Sequence, residues 1–287
     1  MEPPQMISSP QLDGGTCATC GGGAASEGMG SAPAYVFAIG RIEARFPSLG
    51  VEREFAQATG RAETAGRTDR QAFHAVLSQR QNRYLARQLC WVLTIEGLET
   101  YILVPGDPAD LDLLLEAIRA EPQRNDLDVV VGIRGGMASP QQCNGLQAPI
   151  VVVDQVWSFD RNALISAIPR PEHMAAEQFE PAAGELFDRI MLMADNAGAT
   201  DEHRALNYLA VRYPNIYAQT TDLFGRNFSL TGVEVRPSRL SGVRNVVDVI
   251  FSYTNRQTDV MDRYFVRVDV TEEFPFLVTK LSPFYEL

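Results

Sequence analysis

The sequence predicts an α+β protein built from two packed α/β subdomains. Its 287 residues are 45% hydrophobic and 21% charged, which is typical of a globular chain with a sizeable core. In the first half, apolar residues alternate between strand-like and helix-like spacing, whereas in the second half helical spacing comes first and strands follow. We therefore expect the C-terminal subdomain to be a helical pair or triplet on a four-stranded antiparallel meander.

Four ranges divide the chain. Residues 1–33 are rich in Gly, Pro, Ser and Ala and contain two cysteines; such a segment buries too little apolar surface to offset its ordering entropy, so we predict a flexible tail. An N-terminal α+β subdomain is predicted over 34–160. A proline-containing linker is predicted over 161–180, and a C-terminal helix-then-strand subdomain over 181–287.

The N-terminal subdomain opens with a strand, 35–46, followed by two helical stretches. The clearer helix covers 69–88, with Thr68 or Asp69 as its N-cap. The remaining elements are a hairpin of strands at 90–95 and 101–104, a helix at 108–120, and strands at 127–133 and 149–153. The last two strands are apolar on both faces, which favours a central position in a sheet.

Helices at 184–194, 201–212 and 215–226 open the C-terminal subdomain. Thr200 or Asp201 caps the second helix, and Pro214 ends it. The predicted meander consists of strands at 228–235, 246–253, 264–270 and 276–281.

Composition and charge exclude several classes of protein. The net charge of -11 argues against a duplex-binding protein, which needs a dense cationic surface. The chain has no apolar run of about 20 residues and no signal peptide, so we expect a cytoplasmic protein that does not bind membranes. The single lysine, Lys280, does not stand in a P-loop, and neither an H-E-x-x-H nor a G-x-S-x-G motif is present.

One short run resembles a protease motif. Gly135-Gly136-Met137-Ala138-Ser139-Pro140 is similar to the G-T-S-M-A-x-P segment around the nucleophile of subtilisin-like proteases. Gly136, however, stands where the serine should be, so we predict a plain loop after a strand.

The C-x-x-C pair Cys17 and Cys20 is half of a structural zinc site, which needs about four ligands. Cys143, a histidine or a second subunit could complete the site, and zinc is the one cofactor that the sequence suggests. A tail that is processed or modified, and a pair without a role, stay open as alternatives. Cys90 is predicted to be a small buried hydrophobe, and four cysteines in a chain of this kind do not suggest a disulfide framework.

Arg204 and Asn207 are the polar residues of most interest. Asn207 lies in mid-helix between Leu206 and Tyr208, against the preference of Asn for caps, and a buried Asn there needs hydrogen-bond partners such as the backbone or Arg204. We predict a structural polar network formed by the two residues, with ligand binding as the alternative.

The same helix carries a resemblance to a known family. His203-Arg204-Ala205-Leu206-Asn207-Tyr208, with the strands that follow it, resembles the C-terminal domain of PatG- and PatA-type cyanobactin maturation proteases. Tyr35-Val36-Phe37-Ala38-Ile39-Gly40 is similar to the family's opening segment, and the resemblance extends over about 35–280. The subtilisin-like protease domain of the family is missing, as is a cysteine pair that some relatives have near 240–244.

The resemblance implies a non-catalytic accessory protein in ribosomal peptide (RiPP) maturation, because the family's domain has no assigned catalytic residues. Its expected partners are the precursor peptide or a subtilisin-like maturation protease, and the expected assembly is a homodimer. The alternative is a peptide-modifying enzyme, assisted by a metal at Cys17 and Cys20.

Overall fold

A computed structural model describes residues 34–61, 66, 68–170 and 175–285. Its first half contains these elements in order: β1 (Ala34–Arg45), α1 (Leu49–Arg61), α2 (Asp69–Leu77), α3 (Arg83–Gln88), β2 (Cys90–Ile95), β3 (Leu98–Pro105), α4 (Asp110–Ala117), β4 (Asp126–Met137) and β5 (Pro149–Asp160). The second half contains α5 (Arg161–Ala167), α6 (Ala176–Met193), α7 (Asp201–Arg212), α8 (Asn215–Gly225), β6 (Phe228–Pro237), β7 (Val246–Asn255), β8 (Met261–Asp269), β9 (Phe276–Leu277) and β10 (Ser282–Pro283).

The first five strands close on themselves in the order β1-β2-β3-β5-β4. All neighbours are antiparallel except β3 and β5, which run parallel. One face of these strands forms a core with the apolar sides of α1 to α4, in which Val36, Trp91, Leu103, Val130 and Val151 are buried. β4 is buried on both faces from Val129 to Gly132, as the continuous apolar run predicted.

The second sheet has the order β10-β8-β7-β6, with β9 also pairing with β8. Alternate residues of β7, Val247, Val249 and Phe251, pack against the helical layer with Val266 and Val268 of β8. The helices contribute the apolar sides of α6, α7 and α8 to this cluster. The predicted α+β class is confirmed; the fourth strand of the meander is replaced by the two short strands β9 and β10.

The predicted 69–88 helix is interrupted. Thr68 is the N-cap of α2, in a capping box with Gln71, and α2 ends at Leu77 with Ser78 as its C-cap. A single 3-10 turn, Arg80–Asn82, separates α2 from α3, and Asn82 donates its side-chain amide to the Val76 carbonyl at 2.9 Å. The prediction of one continuous helix from periodicity was wrong, because this side-chain hydrogen bond competes with the main-chain bonds of the next helical turn.

The start of α6 was also predicted wrongly. The helix begins at Ala176, eight residues before the predicted 184, and it contains Pro181. Its buried face includes Phe179 and Ala183, so apolar burial stabilises the helix across a proline that removes one main-chain hydrogen bond. Residues 161–180 thus contain α5 and the first turn of α6.

Two further expectations are corrected. Cys90 and Cys143 form a disulfide, with their Cα atoms 5.5 Å apart, whereas Cys90 was expected to be an unbonded buried residue. Spacing in the sequence could not reveal it, because 53 residues separate the partners. The segment 135–137 is not a loop but the end of β4, in which Met137 pairs with Pro149 of β5. No helix among the described residues is long and apolar enough to cross a membrane.

Candidate functional site: a cavity at the free edge of β1

A cavity of about 630 Å³ opens beside the C-terminal half of β1. We call it the β1 cavity. Its wall is formed by Ile42, Glu43, Ala44, Arg45, Phe46, Ser48, Leu49, Glu52, Asp69, Arg70, Phe73, Ile118 and Asn144. Its volume is within the range of pockets that hold small ligands or a few side chains of a peptide.

The cavity exists because β1 changes partners along its length. Its first half pairs with β4 up to the Gly40–Asp128 pair, and its second half pairs with β2 from Arg41 onwards. The side of β1 that faces away from β2 therefore has no partner strand beyond Gly40 among the described residues. Arg41 closes the gap at one point, because its Nε donates to the Asp126 carbonyl at 3.2 Å.

Main-chain groups of β1 face this cavity. The Ile42 N–H points away from β2, since it donates to Asp128 Oδ2 at 2.7 Å. Main-chain groups of an antiparallel strand alternate between its two edges, so the N–H and carbonyl of Ala44 point the same way, toward the cavity. Ala44 thus offers a donor and an acceptor at an open sheet edge.

At the start of the open edge of β1, the side chain of Asp128 accepts the main-chain hydrogen bond that a partner strand would otherwise accept. Its side chain is 1% exposed and accepts hydrogen bonds from Ile42 N–H and the Ser158 hydroxyl. Burial raises the pKa of Asp128, and these bonds together with the charges of Arg70 and Arg119 offset the rise only in part. The carboxyl group therefore holds β1 from a buried position that disfavours its charged form.

The wall combines an apolar floor with charged rims. Phe46, Phe55 and Phe73 pack together with ring centroids 4.6 to 5.3 Å apart. Arg70 donates to the Ala117 carbonyl at 3.0 Å, and its Nε has no partner among the described residues. Such a wall can hold apolar side chains while the open edge binds a main chain.

The disulfide supplies the remaining part of the wall. Cys143 and Asn144 both have positive φ, 47° and 54°, in the short 3-10 turn Cys143–Gly145. The bond to Cys90 ties this turn to β2, and Asn144 lines the cavity. Two consecutive left-handed residues are costly unless the surroundings fix them, and the cross-link does so here.

Arg204 lies apart from the β1 cavity, at the opposite end of β1. It is 3% exposed and donates to the main-chain carbonyls of Val270 at 2.8 Å and Glu273 at 3.1 Å, and to that of Glu272. Its guanidinium also stacks 5.3 Å from the ring centre of Tyr35. Burial lowers the pKa of Arg204, opposed by the charge of Asp201. These contacts attach α7 both to β1 and to the segment after β8.

Asn207 is fully buried and joins the connection between α6 and α7 to β1. Its amide donates to the Phe37 carbonyl at 2.8 Å, beside main-chain bonds from Phe37 N–H to Gly198 at 3.2 Å and from Ile39 N–H to Asn196 at 2.8 Å. The structure places Arg204 and Asn207 one turn apart on the same helix, each bonded to backbone carbonyls, and no bond between the two side chains is found among the described residues.

The cysteines proposed as zinc ligands do not line the β1 cavity. Cys17 and Cys20 lie outside the described residues. Cys143, considered above as a third ligand, is bonded to Cys90 and offers no thiolate in that state. Within the described ranges no group of three or more His, Cys, Asp or Glu side chains could hold a metal ion.

Sequence reasoning did not find the β1 cavity. One signal was available: Asp126 and Asp128 stand two residues apart at the start of an otherwise apolar strand, and both are buried. A buried carboxylate in such a strand requires donors, which Arg119 supplies to Asp126 at 2.7 Å and β1 supplies to Asp128.

Comparison with known proteins supports the family resemblance. Residues 173–284 match the family model described as PatG C-terminal. A solved structure described as the PatG domain of unknown function superposes with a TM-score of 0.73 at 20% sequence identity, covering 88% of this chain and 99% of that one. No curated protein matches the chain. Residues 173–284 therefore form a PatG C-terminal-type domain, and the chain shares the fold of the PatG domain of unknown function.

Proposed function

We propose that this protein is a non-catalytic accessory protein of cyanobactin-like ribosomal peptide maturation, which binds an extended segment of the precursor peptide at the β1 cavity. The PatG C-terminal-type domain supports the place in peptide maturation. A subtilisin-like maturation protease is the second partner that the family resemblance implies.

The open edge of β1 is the observation that carries the proposal. An extended peptide can add itself to an exposed strand edge, where main-chain hydrogen bonds supply affinity and pockets for alternate side chains supply specificity. The β1 cavity offers both features, since Ala44 presents main-chain groups and the aromatic floor of Phe46 and Phe73 lies beside them.

The charged residues in the wall of the β1 cavity favour a peptide over a single ion as its ligand. Arg45 is engaged by Glu43 at 2.9 Å and by Glu99 at 2.7 Å, so its charge is largely compensated. The remaining charged residues, Glu52, Asp69 and Arg70, bear both signs. Recognition therefore depends on main-chain pairing and apolar contact.

A pair of leucines allows a matched test. Leu49 lines the β1 cavity and is 69% exposed, while Leu98, the first residue of β3, lies outside the cavity and is 73% exposed. Because both side chains are mainly in solvent, Leu49→Ser and Leu98→Ser should each change the free energy of unfolding by less than about 0.5 kcal/mol.

We expect Leu49→Ser to weaken binding of a cyanobactin-type precursor peptide by about three- to tenfold, the loss for one apolar contact, and Leu98→Ser to leave it unchanged. Isothermal titration calorimetry of the full chain measures both. Failure of the precursor to bind, or equal affinities for the two variants, would contradict the proposal. Parallel titration with the maturation protease tests the second partner.

We further propose, from the family resemblance, that the protein assembles as a homodimer. Sedimentation equilibrium over a hundredfold range of protein concentration is the test. A monomer mass throughout that range would refute the dimer and leave the peptide-binding proposal standing.

A further inference from the structure

A cavity of about 590 Å³ opens beside the 3-10 turn Arg80–Asn82 and helix α3. We call it the arginine pocket. Its wall is formed by Ser78, Arg80, Gln81, Arg83, Tyr84 and Arg87, and no carboxylate among the described residues lines it. It shares no residue with the wall of the β1 cavity, so an inference about its ligand does not rest on the proposed function.

The arginine pocket is positively charged in an acidic protein. The whole chain has a net charge of -11, yet residues 71–95 contain three arginines and no acidic residue. Arg83 is paired with Asp112 of α4, whereas Arg80 and Arg87 are exposed and have no partner among the described residues. Two guanidinium charges therefore remain uncompensated at this surface.

The spacing of these arginines costs stability in the free protein. Arg83 and Arg87 stand four residues apart on α3, and Arg80 stands three residues before Arg83, so like charges are neighbours along the segment. The dipole of α3 favours a cation in its last turn, which accounts for Arg87 but not for Arg80 at the other end. An anion bound by Arg80 and Arg87 would offset this repulsion.

Side-chain hydrogen bonds fix the turn that carries Arg80. Asn82 is 8% exposed, and its amide donates to the Val76 carbonyl at 2.9 Å. At the end of α2, the hydroxyl of Ser78 donates to the His74 carbonyl at 2.6 Å. The backbone of the pocket is therefore in place before a ligand binds, which lowers the entropic cost of binding.

The donors of the arginine pocket favour carboxylates as the ligand groups. Each guanidinium is a planar fork of N–H groups that matches a carboxylate, and the ring of Tyr84, which is 44% exposed, adds apolar area to the wall. A nucleic acid needs a dense cationic surface, and it would be repelled by the negative charge of the chain as a whole. A short peptide segment with two or more carboxylates needs no wider cationic surface, because Arg80 and Arg87 can each pair with one carboxylate.

We propose that the arginine pocket binds an acidic peptide segment, through carboxylates paired with Arg80 and Arg87. The ring of Tyr84 packs against an apolar side chain of that segment. Charge sets the specificity at this surface, whereas main-chain pairing and apolar contact set it at the β1 cavity.

Two pairs of exposed arginines allow a matched test. The double variant Arg80→Gln/Arg87→Gln removes two charges from the arginine pocket, and Arg170→Gln/Arg239→Gln removes two charges that lie outside it. None of the four side chains has a partner among the described residues, so both double variants should keep the melting temperature of the parent.

The probe is the capped peptide acetyl-Glu-Glu-Leu-Glu-Glu-amide, titrated into the full chain at low salt and followed by NMR of the arginine Nε–H groups. We expect its affinity to fall about five- to thirtyfold in Arg80→Gln/Arg87→Gln, the loss of two ion pairs, and less than about twofold in Arg170→Gln/Arg239→Gln. The neutral peptide acetyl-Gln-Gln-Leu-Gln-Gln-amide should not bind, and added salt should weaken binding of the acidic probe.

Four results would each overturn the proposal: equal affinities of the two double variants, equal binding of the neutral and acidic probes, no shift of the Arg80 and Arg87 resonances at millimolar probe, or tighter binding of a deoxythymidine octamer than of the acidic probe. An affinity for the acidic probe that is unchanged in Leu49→Ser would support a surface separate from the β1 cavity.

Discussion

Replacing Gly198 and Gly242 by alanine should separate two energetic costs: the strain of a left-handed backbone and the steric overlap of an added Cβ. Gly198 has φ +56° in the connection between α6 and α7, and an added Cβ would overlap the Phe37 carbonyl of β1. Gly242 has nearly the same backbone, φ +53°, with nothing within 4 Å of an added Cβ. The pair therefore differs in packing and not in backbone conformation.

The magnitudes follow from the contacts. A left-handed alanine costs about 1 kcal/mol at either position. At Gly198 the connection must also move away from β1, which breaks the bonds from Phe37 N–H to Gly198 and from the Asn207 amide to Phe37. At about 1 kcal/mol for each buried bond, Gly198→Ala should lose about 3 kcal/mol and Gly242→Ala about 1 kcal/mol.

Urea unfolding followed by circular dichroism measures both free energies. In thermal scans the melting temperature should fall by about 9 °C for Gly198→Ala and about 3 °C for Gly242→Ala. Equal losses in the two variants would refute the reasoning, because they would mean that α7 does not depend on this connection for its attachment to β1.

Three further changes have defined outcomes. Because the native state holds the Asp128 proton more tightly than the unfolded chain, the contribution of Asp128 to the free energy of unfolding should fall as pH rises above about 4. Asp128→Asn should remove this contribution from the pH profile measured by urea titrations at several pH values, and a profile unchanged by the substitution would contradict the assignment. Cys143→Ser should lower stability by about 2–4 kcal/mol and abolish the effect of dithiothreitol on the melting temperature, because it removes the bond to Cys90. Arg204→Lys should cost about 2–3 kcal/mol, since an ammonium group cannot reach the three carbonyls that the guanidinium fork binds, and a loss below about 0.5 kcal/mol would exclude that role.

Local patterns predicted much of the C-terminal half. Helix 201–212 was predicted with its bounds as found, because Thr200 caps it and Tyr213-Pro214 follows it. In β7 and β8, apolar residues recur at every second position, and this face packs against the helices through Val249, Phe251 and Val266. The opposite face of β7 is also buried from Val246 to Ile250, which alternation alone did not indicate. Asn207 stood out because it lies in mid-helix against the preference of Asn for caps, and Arg204 stood out as its possible hydrogen-bond partner.

Features that depend on distant pairs were not predictable in this way. The Cys90–Cys143 bond and the unpaired half of β1 each involve residues far apart in the chain. Helix α6 contains a proline in its first half and is stabilised by tertiary packing that buries Phe179 and Ala183. Helix propensities do not include this free energy of burial, so they could not predict the helix.

The sequence by itself determined the α+β fold class, the helix caps, the apolar faces of helices and strands, and the family resemblance. These features depend on neighbours within a few residues or on a short motif. Only the tertiary structure decided where β1 exchanges β4 for β2, and this exchange creates the β1 cavity. The physical reason is that the edge of a strand is open or paired according to which other strands lie beside it. The hydrophobic pattern of a strand indicates which face is buried but not which distant strand pairs with it.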